Sequence, residues 1–282
     1  MSKKNTRHQF KIYGWFGLII IFVAEILLIL NNKPVKTFFT PIVWTGYILF
    51  IDALLYKING RSYLVNRRRE FFLMLPVSLF CWLIFEAYNL HLQNWEYINL
   101  PENMVIRIFG YVWSFITITP GIILTSDLID SWELFDRFKM RKFTISKTTL
   151  NFWIIIGALF LLVPIFLPRS SAQYLFALIW MGFVFLLDPV NARLGEHSLF
   201  IDLRSGKINK LFSLFLSGVI CGVLWEFWNY WAQTKWIYTL PFLQNPKIFE
   251  MPLAGFLGFL PFAVECYVMW VFVWFVWRKI FR

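Results

Sequence analysis

The chain has 282 residues, 59% of them hydrophobic and 15% charged, with a mean hydropathy of +0.62, a composition that excludes a soluble globular domain. The formal net charge of +11 would point to nucleic acid in a soluble protein. In a membrane chain the basic residues report topology instead, so no nucleic-acid partner is expected.

Apolar runs close to the ~20 residues needed to cross a bilayer occur eight times, predicting spans over 13–30, 38–56, 71–92, 106–128, 150–167, 174–190, 211–232 and 253–277. The fold class that follows is all-α, a polytopic membrane helical bundle of eight transmembrane helices. The first run follows a basic segment but has no small-residue cleavage pattern after it, so it reads as an uncleaved span. Of the 27 basic residues, twenty-one fall on one side of these spans, among them Lys3, Lys4, Arg7 and Lys11 at the N-terminus, Arg67, Arg68 and Arg69 after the second span, and Arg278, Lys279 and Arg282 at the C-terminus. The six on the other side are Lys33, Lys36, Arg107, Arg169, Lys235 and Lys247. The positive-inside rule places both termini in the cytoplasm, with the protein in the inner membrane. Arg67 to Arg69 is read as topogenic, with an anionic-lipid or nucleic-acid patch as the alternative.

The chain carries a tandem duplication. WTGYILFID, Trp44 to Asp52, matches WMGFVFLLD, Trp180 to Asp188. Cys81, Glu86 and Asn89 match Cys221, Glu226 and Asn229, and further on Pro101 matches Pro241 and Phe109 matches Phe249. The repeats run over approximately 13–148 and 149–282. An even number of spans in each makes them two parallel four-helix repeats related by an axis along the membrane normal. Short connections and the lack of a Gly/Ser linker make 1–282 a single membrane domain. Gly218 and Gly222 form a G-x-x-x-G on the seventh span, a close-packing motif.

Each repeat ends its third span with an acid. Glu86 and Glu226 each have an Asn one turn later on the same helix face, and an acid at mid-membrane costs roughly 2.5 to 3.5 kcal/mol, so both are expected to face the bundle interior. Asn89 and Asn229 are then hydrogen-bond partners for the carboxyls, either in a clamp fixing helix register or in a site that uses the acid. Glu25 lies in the outer half of the first span. Glu265 sits in the eighth, in GFLPFAVECYVMW, four residues after Pro261, which is expected to kink the helix and open space beside the acid. W-x-Y follows each Glu–Asn pair, Trp95 with Tyr97 and Trp236 with Tyr238. These rings are interfacial belt residues or the lining of a cavity mouth above the acids. Asp52 and Asp188 end the second and sixth spans and are expected to pair locally with Lys57 and Arg193.

Asp127, Asp130, Glu133 and Asp136 recur at intervals of three. The run resembles the first Asp-rich motif of membrane prenyltransferases, in which stacked carboxylates chelate Mg²⁺, but the second half offers no such run, and a solvated amphipathic turn is the other reading. There is no phosphate loop, H-E-x-x-H or His cluster. Cys81, Cys221 and Cys266 fall inside spans without C-x-x-C spacing, which argues against a disulfide framework or a zinc site. No cofactor and no metal is expected.

W-x-Y followed by a Gly- and Pro-bearing span with an acid, GFLPFAVE, resembles the membrane lycopene cyclases of heterodimeric or fused type. The likeness covers about forty residues of each half, with P-F-A-V-E at Pro261 to Glu265 in place of that family's P-x-E-E. The resemblance implies a cofactor-independent cyclisation of a polyene, in which an acid protonates one end, aromatic faces stabilise the cation and a base removes a proton. On that reading Glu86, Glu226 and Glu265 are the catalytic acids, Asn89, Asn229, Trp95, Tyr97, Trp236 and Tyr238 the substrate-binding residues, and the partner a membrane lipid or other apolar molecule. A proton-coupled transporter using the same acids and a non-catalytic assembly factor are the alternatives.

Overall fold

The structure, a computed structural model, describes residues 8–281; of the basic residues that set the expected topology, Lys3, Lys4, Arg7 and Arg282 lie outside the described residues. Among the described residues, eight helical segments are long and apolar enough to cross a membrane, each ending within about four residues of its predicted bounds. They are α1 (Ile12–Ile29), α2 (Phe39–Asn59), α3 (Arg68–Leu92), a fourth span made of α4 (Met104–Phe115) and α5 (Ile118–Ser131), α6 (Lys147–Phe166), α7 (Phe176–Leu194), α8 (Asn209–Trp231), and an eighth that begins as a 3₁₀ turn (Leu253–Gly258) and continues as α9 (Phe259–Ile280). The chain is a multi-pass membrane protein.

The helix α1 packs most extensively on α2, and α6 on α7, as two flanking hairpins; α5 and α9 lie between them and contact each other as well as α3 and α8. Glycines set both hairpin crossings. A side chain on Gly17 would strike the Gly46 carbonyl, and one on Gly157 the Gly182 carbonyl, so only backbone-to-backbone approach fits. Gly218 and Gly222 meet the carbonyl and ring of Phe259, so the G-x-x-x-G does bring α9 against α8. The exposed flanks of α1 and α6 are apolar, as lipid-facing surfaces must be.

Two of the spans are irregular. The fourth span breaks between Phe115 and Ile118, where Pro120 cannot donate to the preceding turn. Ser78 of α3 fills the gap, its Oγ donating to the Phe115 carbonyl at 2.5 Å and accepting from the Thr119 N–H at 2.9 Å. Pro261 holds the matching place in the eighth span, third residue of α9 as Pro120 is of α5, and the change of geometry falls before it, at the 3₁₀-to-α junction, and not in a kink beside Glu265.

On the side away from the W-x-Y segments, α2 and α7 each end in a left-handed glycine, Gly60 at φ 68° and Gly195 at φ 76°, a usual helix stop. Asp52 and Asp188 do not pair with Lys57 and Arg193. Asp52 Oδ1 accepts from the Tyr63 and Leu64 N–H groups at 2.8 and 3.1 Å, and its Oδ2 from the Tyr13 hydroxyl at 2.6 Å. Asp188 accepts from the Leu199 and Phe200 N–H groups, both at 2.8 Å, and from Ser198 Oγ at 2.8 Å. Each carboxylate satisfies the unpaired donors that open a short following helix, Tyr63–Asn66 or Leu199–Arg204. Asp188→Ala is expected to cost roughly 2 to 3 kcal/mol, read as a lowered unfolding midpoint in detergent, with Asp188→Asn recovering part; an unchanged midpoint for the alanine variant would refute this capping role.

Candidate functional site

The two W-x-Y segments form short strands. The strand β1 (Trp95–Ile98) pairs antiparallel with β2 (Lys235–Tyr238), Trp95 opposite Tyr238 and Tyr97 opposite Trp236. The asparagines hold these strands onto the helix ends. Asn89 Oδ1 accepts from the N–H groups of Asn94 and Trp95 at 2.8 and 3.3 Å, while its Nδ2 donates to the Trp95 carbonyl at 2.8 Å. Asn229 does the same for Trp236, accepting from its N–H at 3.0 Å and donating to its carbonyl at 2.8 Å. Neither asparagine bonds its neighbouring glutamate. A helix end has carbonyls and a departing loop to satisfy, and the Asn is consumed there.

The glutamates are held by the rings. Glu86 Oε1 accepts from the Tyr97 hydroxyl at 2.6 Å, Trp82 Nε1 at 2.9 Å and Trp95 Nε1 at 3.1 Å. Glu226 Oε1 accepts from the Tyr238 hydroxyl at 2.7 Å and, at the long distance of 3.4 Å, from Trp236 Nε1. Burial, and after it the adjacent carboxyl, push the Tyr97 and Tyr238 hydroxyls well above their ordinary range, which keeps both as donors at any physiological pH. The two acids then part company. Trp82, the third donor to Glu86, stands four residues before it; the residue four before Glu226 is Gly222, where the Phe259 ring packs instead. Glu226 Oε2 is left buried without a hydrogen-bond partner.

Beneath the sheet lies a cavity of about 450 Å³. The sheet rings Trp95, Tyr97, Trp236 and Tyr238 form part of its wall, with Trp44 and Trp180 at the openings of α2 and α7 and Phe262 of α9 further in. The split fourth span and the 3₁₀ turn of the eighth both line it, so the two irregular spans are what make room for it. Its wall reaches the lipid-facing surface at Ile106 and Leu257, which are 43% and 69% exposed. Glu226 is the acid in the wall; Glu86 is not part of it. Glu265 is not either. It lies one turn along α9 from Phe262, fully buried, with neither carboxyl oxygen hydrogen-bonded.

Of the residues expected to act together, the structure therefore gathers Glu226, Trp95, Tyr97, Trp236 and Tyr238 around one space. It leaves Glu86 behind its rings, Glu265 in the packed interior, and Asn89 and Asn229 as loop anchors. Trp82, Thr40 and Trp44, all in the wall, were not singled out; Trp82 was findable as the residue one turn before Glu86, and Trp44 as the head of a repeated block.

The Asp-rich run forms no four-carboxylate stack, because the helix ends at Ser131. Asp127 and Asp130 instead share the ammonium of Lys210, at 2.9 and 2.7 Å, and Asp136 accepts from Asn209 Nδ2 at 3.2 Å. Among the described residues no group of three or more His, Cys, Asp or Glu is placed to hold a metal ion.

Comparison with protein-family models, curated proteins and solved structures finds no significant match.

Proposed function

We propose that the cavity under the sheet binds an apolar isoprenoid or polyene lipid and that Glu226 acts on it as an acid–base catalyst of cyclisation or isomerisation. The observation that carries this is the state of Glu226 in the cavity wall: one oxygen is fixed by Tyr238 while the other is buried and unpartnered. The reaction asks for little else. The Glu226 carboxyl gives its proton to a terminal double bond, a second double bond closes on the resulting cation, and loss of a ring proton to the same carboxylate restores the acid with no net consumption. Faces of Trp44, Trp225, Trp236 and Tyr238 in the wall suit a transient cation. This is the chemistry the lycopene cyclase resemblance implies, confined here to one carboxyl instead of several.

The finer architecture belongs to the same reading. Two parallel four-span halves about an axis along the membrane normal are supported by the strand register, in which Trp95 faces Tyr238 and Tyr97 faces Trp236, the pairing a two-fold axis through Glu96 and Ile237 would generate, and by the matched glycine crossings of α1 with α2 and α6 with α7. The charge distribution supports an inner-membrane protein with both termini cytoplasmic and the sheet outside. Single cysteines placed near Arg69 and near Glu96 are expected to label from opposite sides, the first only after the inner face is opened; labelling of the Glu96 position from the cytoplasm would invert the topology.

The activity test is expression in a bacterial host that accumulates an acyclic polyene, with the extracted pigments separated by chromatography. Cyclised or isomerised product is expected with the native chain and not with Glu226→Gln. Unchanged polyene with the native chain, well expressed and folded, would remove the enzyme reading. Proton-dependent uptake by the native chain in liposomes, lost in the same variant, would favour the transporter.

A further inference from the structure

The aromatic cavity under the sheet carries one cation with no ionic partner among the described residues. Two basic residues line its wall, Arg107 and Lys235. Lys235 Nζ is neutralised by Glu250 Oε1 at 2.5 Å. Arg107 donates from Nε to the Pro101 carbonyl at 2.9 Å, and among the described residues no carboxylate lies within ion-pair distance of it. Its two Nη groups are left for another acceptor. Arg107 is also one of the six basic residues on the sheet side of the spans, where the positive-inside rule gives no reason for a cation. Its neighbours on α4, Val105, Ile106, Ile108 and Phe109, are exposed, whereas Arg107 is half-buried. Arg107, Gly110, Tyr111 and Ser114 all line the cavity, at the spacing that puts them on one helix face. The guanidinium therefore belongs to the cavity-facing stripe of α4, beside the point at Ile106 where the wall reaches the lipid-facing surface.

Resting on the reading of this cavity as a lipid site, we infer that among isoprenoid lipids it favours one ending in a phosphate, whose oxygens the Arg107 guanidinium takes at the mouth while the chain lies along the aromatic wall. An isoprenoid alcohol becomes an anion as its phosphate ester, and a planar guanidinium matches phosphate oxygens two at a time. At the edge of an apolar cavity that attraction is stronger than in bulk water. A hydrocarbon or a neutral alcohol would leave the cation unmatched. Holding the head at Arg107 orients the molecule, with its head at the lipid-facing opening and its chain inward under the sheet.

The test incubates the full chain in detergent with equal amounts of all-trans-geranylgeraniol and its monophosphate, repurifies it, and quantifies the bound lipid by extraction and mass spectrometry. A charge-assisted contact corresponds to roughly a ten- to hundredfold preference for the phosphate. That preference is expected to fall close to parity in Arg107→Gln and to stay unchanged in Arg169→Gln, an exposed arginine on the same side but outside the wall. Arg107→Lys keeps the charge without the fork, so a several-fold drop is expected there, and this variant carries the test if Arg107→Gln disturbs folding. A second incubation adds excess phosphatidylglycerol, which is expected not to displace the isoprenoid phosphate. Retention of both isoprenoids without a preference, or with one that neither Arg107 variant changes, would overturn the inference and leave the lipid cavity standing. Displacement by phosphatidylglycerol would overturn it as well, since Arg107 would then meet any interfacial phosphate. Retention of neither isoprenoid would overturn the lipid cavity and the inference together.

Discussion

Lys210→Met is expected to destabilise the side of the bundle opposite the sheet. The Lys210 ammonium is only 13% exposed and touches Asp127 Oδ1 at 2.9 Å, Asp130 Oδ2 at 2.7 Å and Ser126 Oγ at 3.1 Å, tying α8 to α5 while the Tyr267 ring of α9 lies 5.1 Å away. Methionine fills similar space but leaves two carboxylates without their shared cation. Asp127 keeps the Tyr63 hydroxyl at 2.8 Å and a distant Arg67 guanidinium at 3.7 Å; Asp130 keeps no cation. The cluster is part-buried, Asp127 and Asp130 being 24% and 28% exposed, so the loss is expected below the ~3 to 5 kcal/mol of a fully buried pair, at about 1 to 3 kcal/mol, which thermal unfolding in detergent would show as a drop of several degrees. Lys210→Met combined with Asp130→Asn is expected to recover a sizeable part of the loss, because the stranded charge is gone. If the double variant is no more stable than the single one, the pair is not the source of the effect.

That cluster also shows where reading the chain from its sequence reaches its limit. The eight spans were plain because hydropathy is a local property, averaged over about twenty residues. Lys210 was counted with the topogenic charges and the Asp run was judged by its own spacing, yet the two meet only when α5 and α8 pack. No local rule pairs residues eighty positions apart. The W-x-Y strands failed to announce themselves for the same reason: four residues each, they are strands only because each finds the other across the chain. The Glu–Asn spacing did put both groups on one helix face, as expected. What it could not weigh was the competing demand of the helix end, whose outgoing backbone takes both polar ends of the Asn. Pro120 and Pro261, in the first turns of α5 and α9, each follow the irregular stretch of their span, a break that averaging hydropathy over about twenty residues does not register.

Glu226→Gln and Glu226→Leu are expected to diverge. Glutamine keeps the shape, and its amide oxygen can still accept from Tyr238, whose hydroxyl lies 2.7 Å from Glu226 Oε1, so the sheet stays fastened to α8 and the unfolding midpoint is expected to change little. It cannot deliver a proton, and loss of a general acid typically lowers rate by ~10²- to 10⁴-fold. Leucine removes the acceptor altogether. The Tyr238 hydroxyl then loses its acceptor beneath the sheet, while the Trp236 N–H keeps the Tyr238 oxygen at 3.0 Å; one buried donor left unsatisfied costs about 1 to 3 kcal/mol, and both stability and activity are expected to fall. The corresponding pair at Glu86 separates architecture from chemistry within one molecule. There three donors close on a single oxygen outside the cavity wall, so Glu86→Leu is expected to destabilise by a similar or larger amount, while Glu86→Gln leaves product formation near the native level. The measurements are unfolding midpoints in detergent and polyene conversion for all four variants at matched expression. Equal loss of conversion in Glu86→Gln and Glu226→Gln would defeat the assignment of the chemistry to Glu226, and full conversion in Glu226→Gln would leave both acids as fasteners of the sheet.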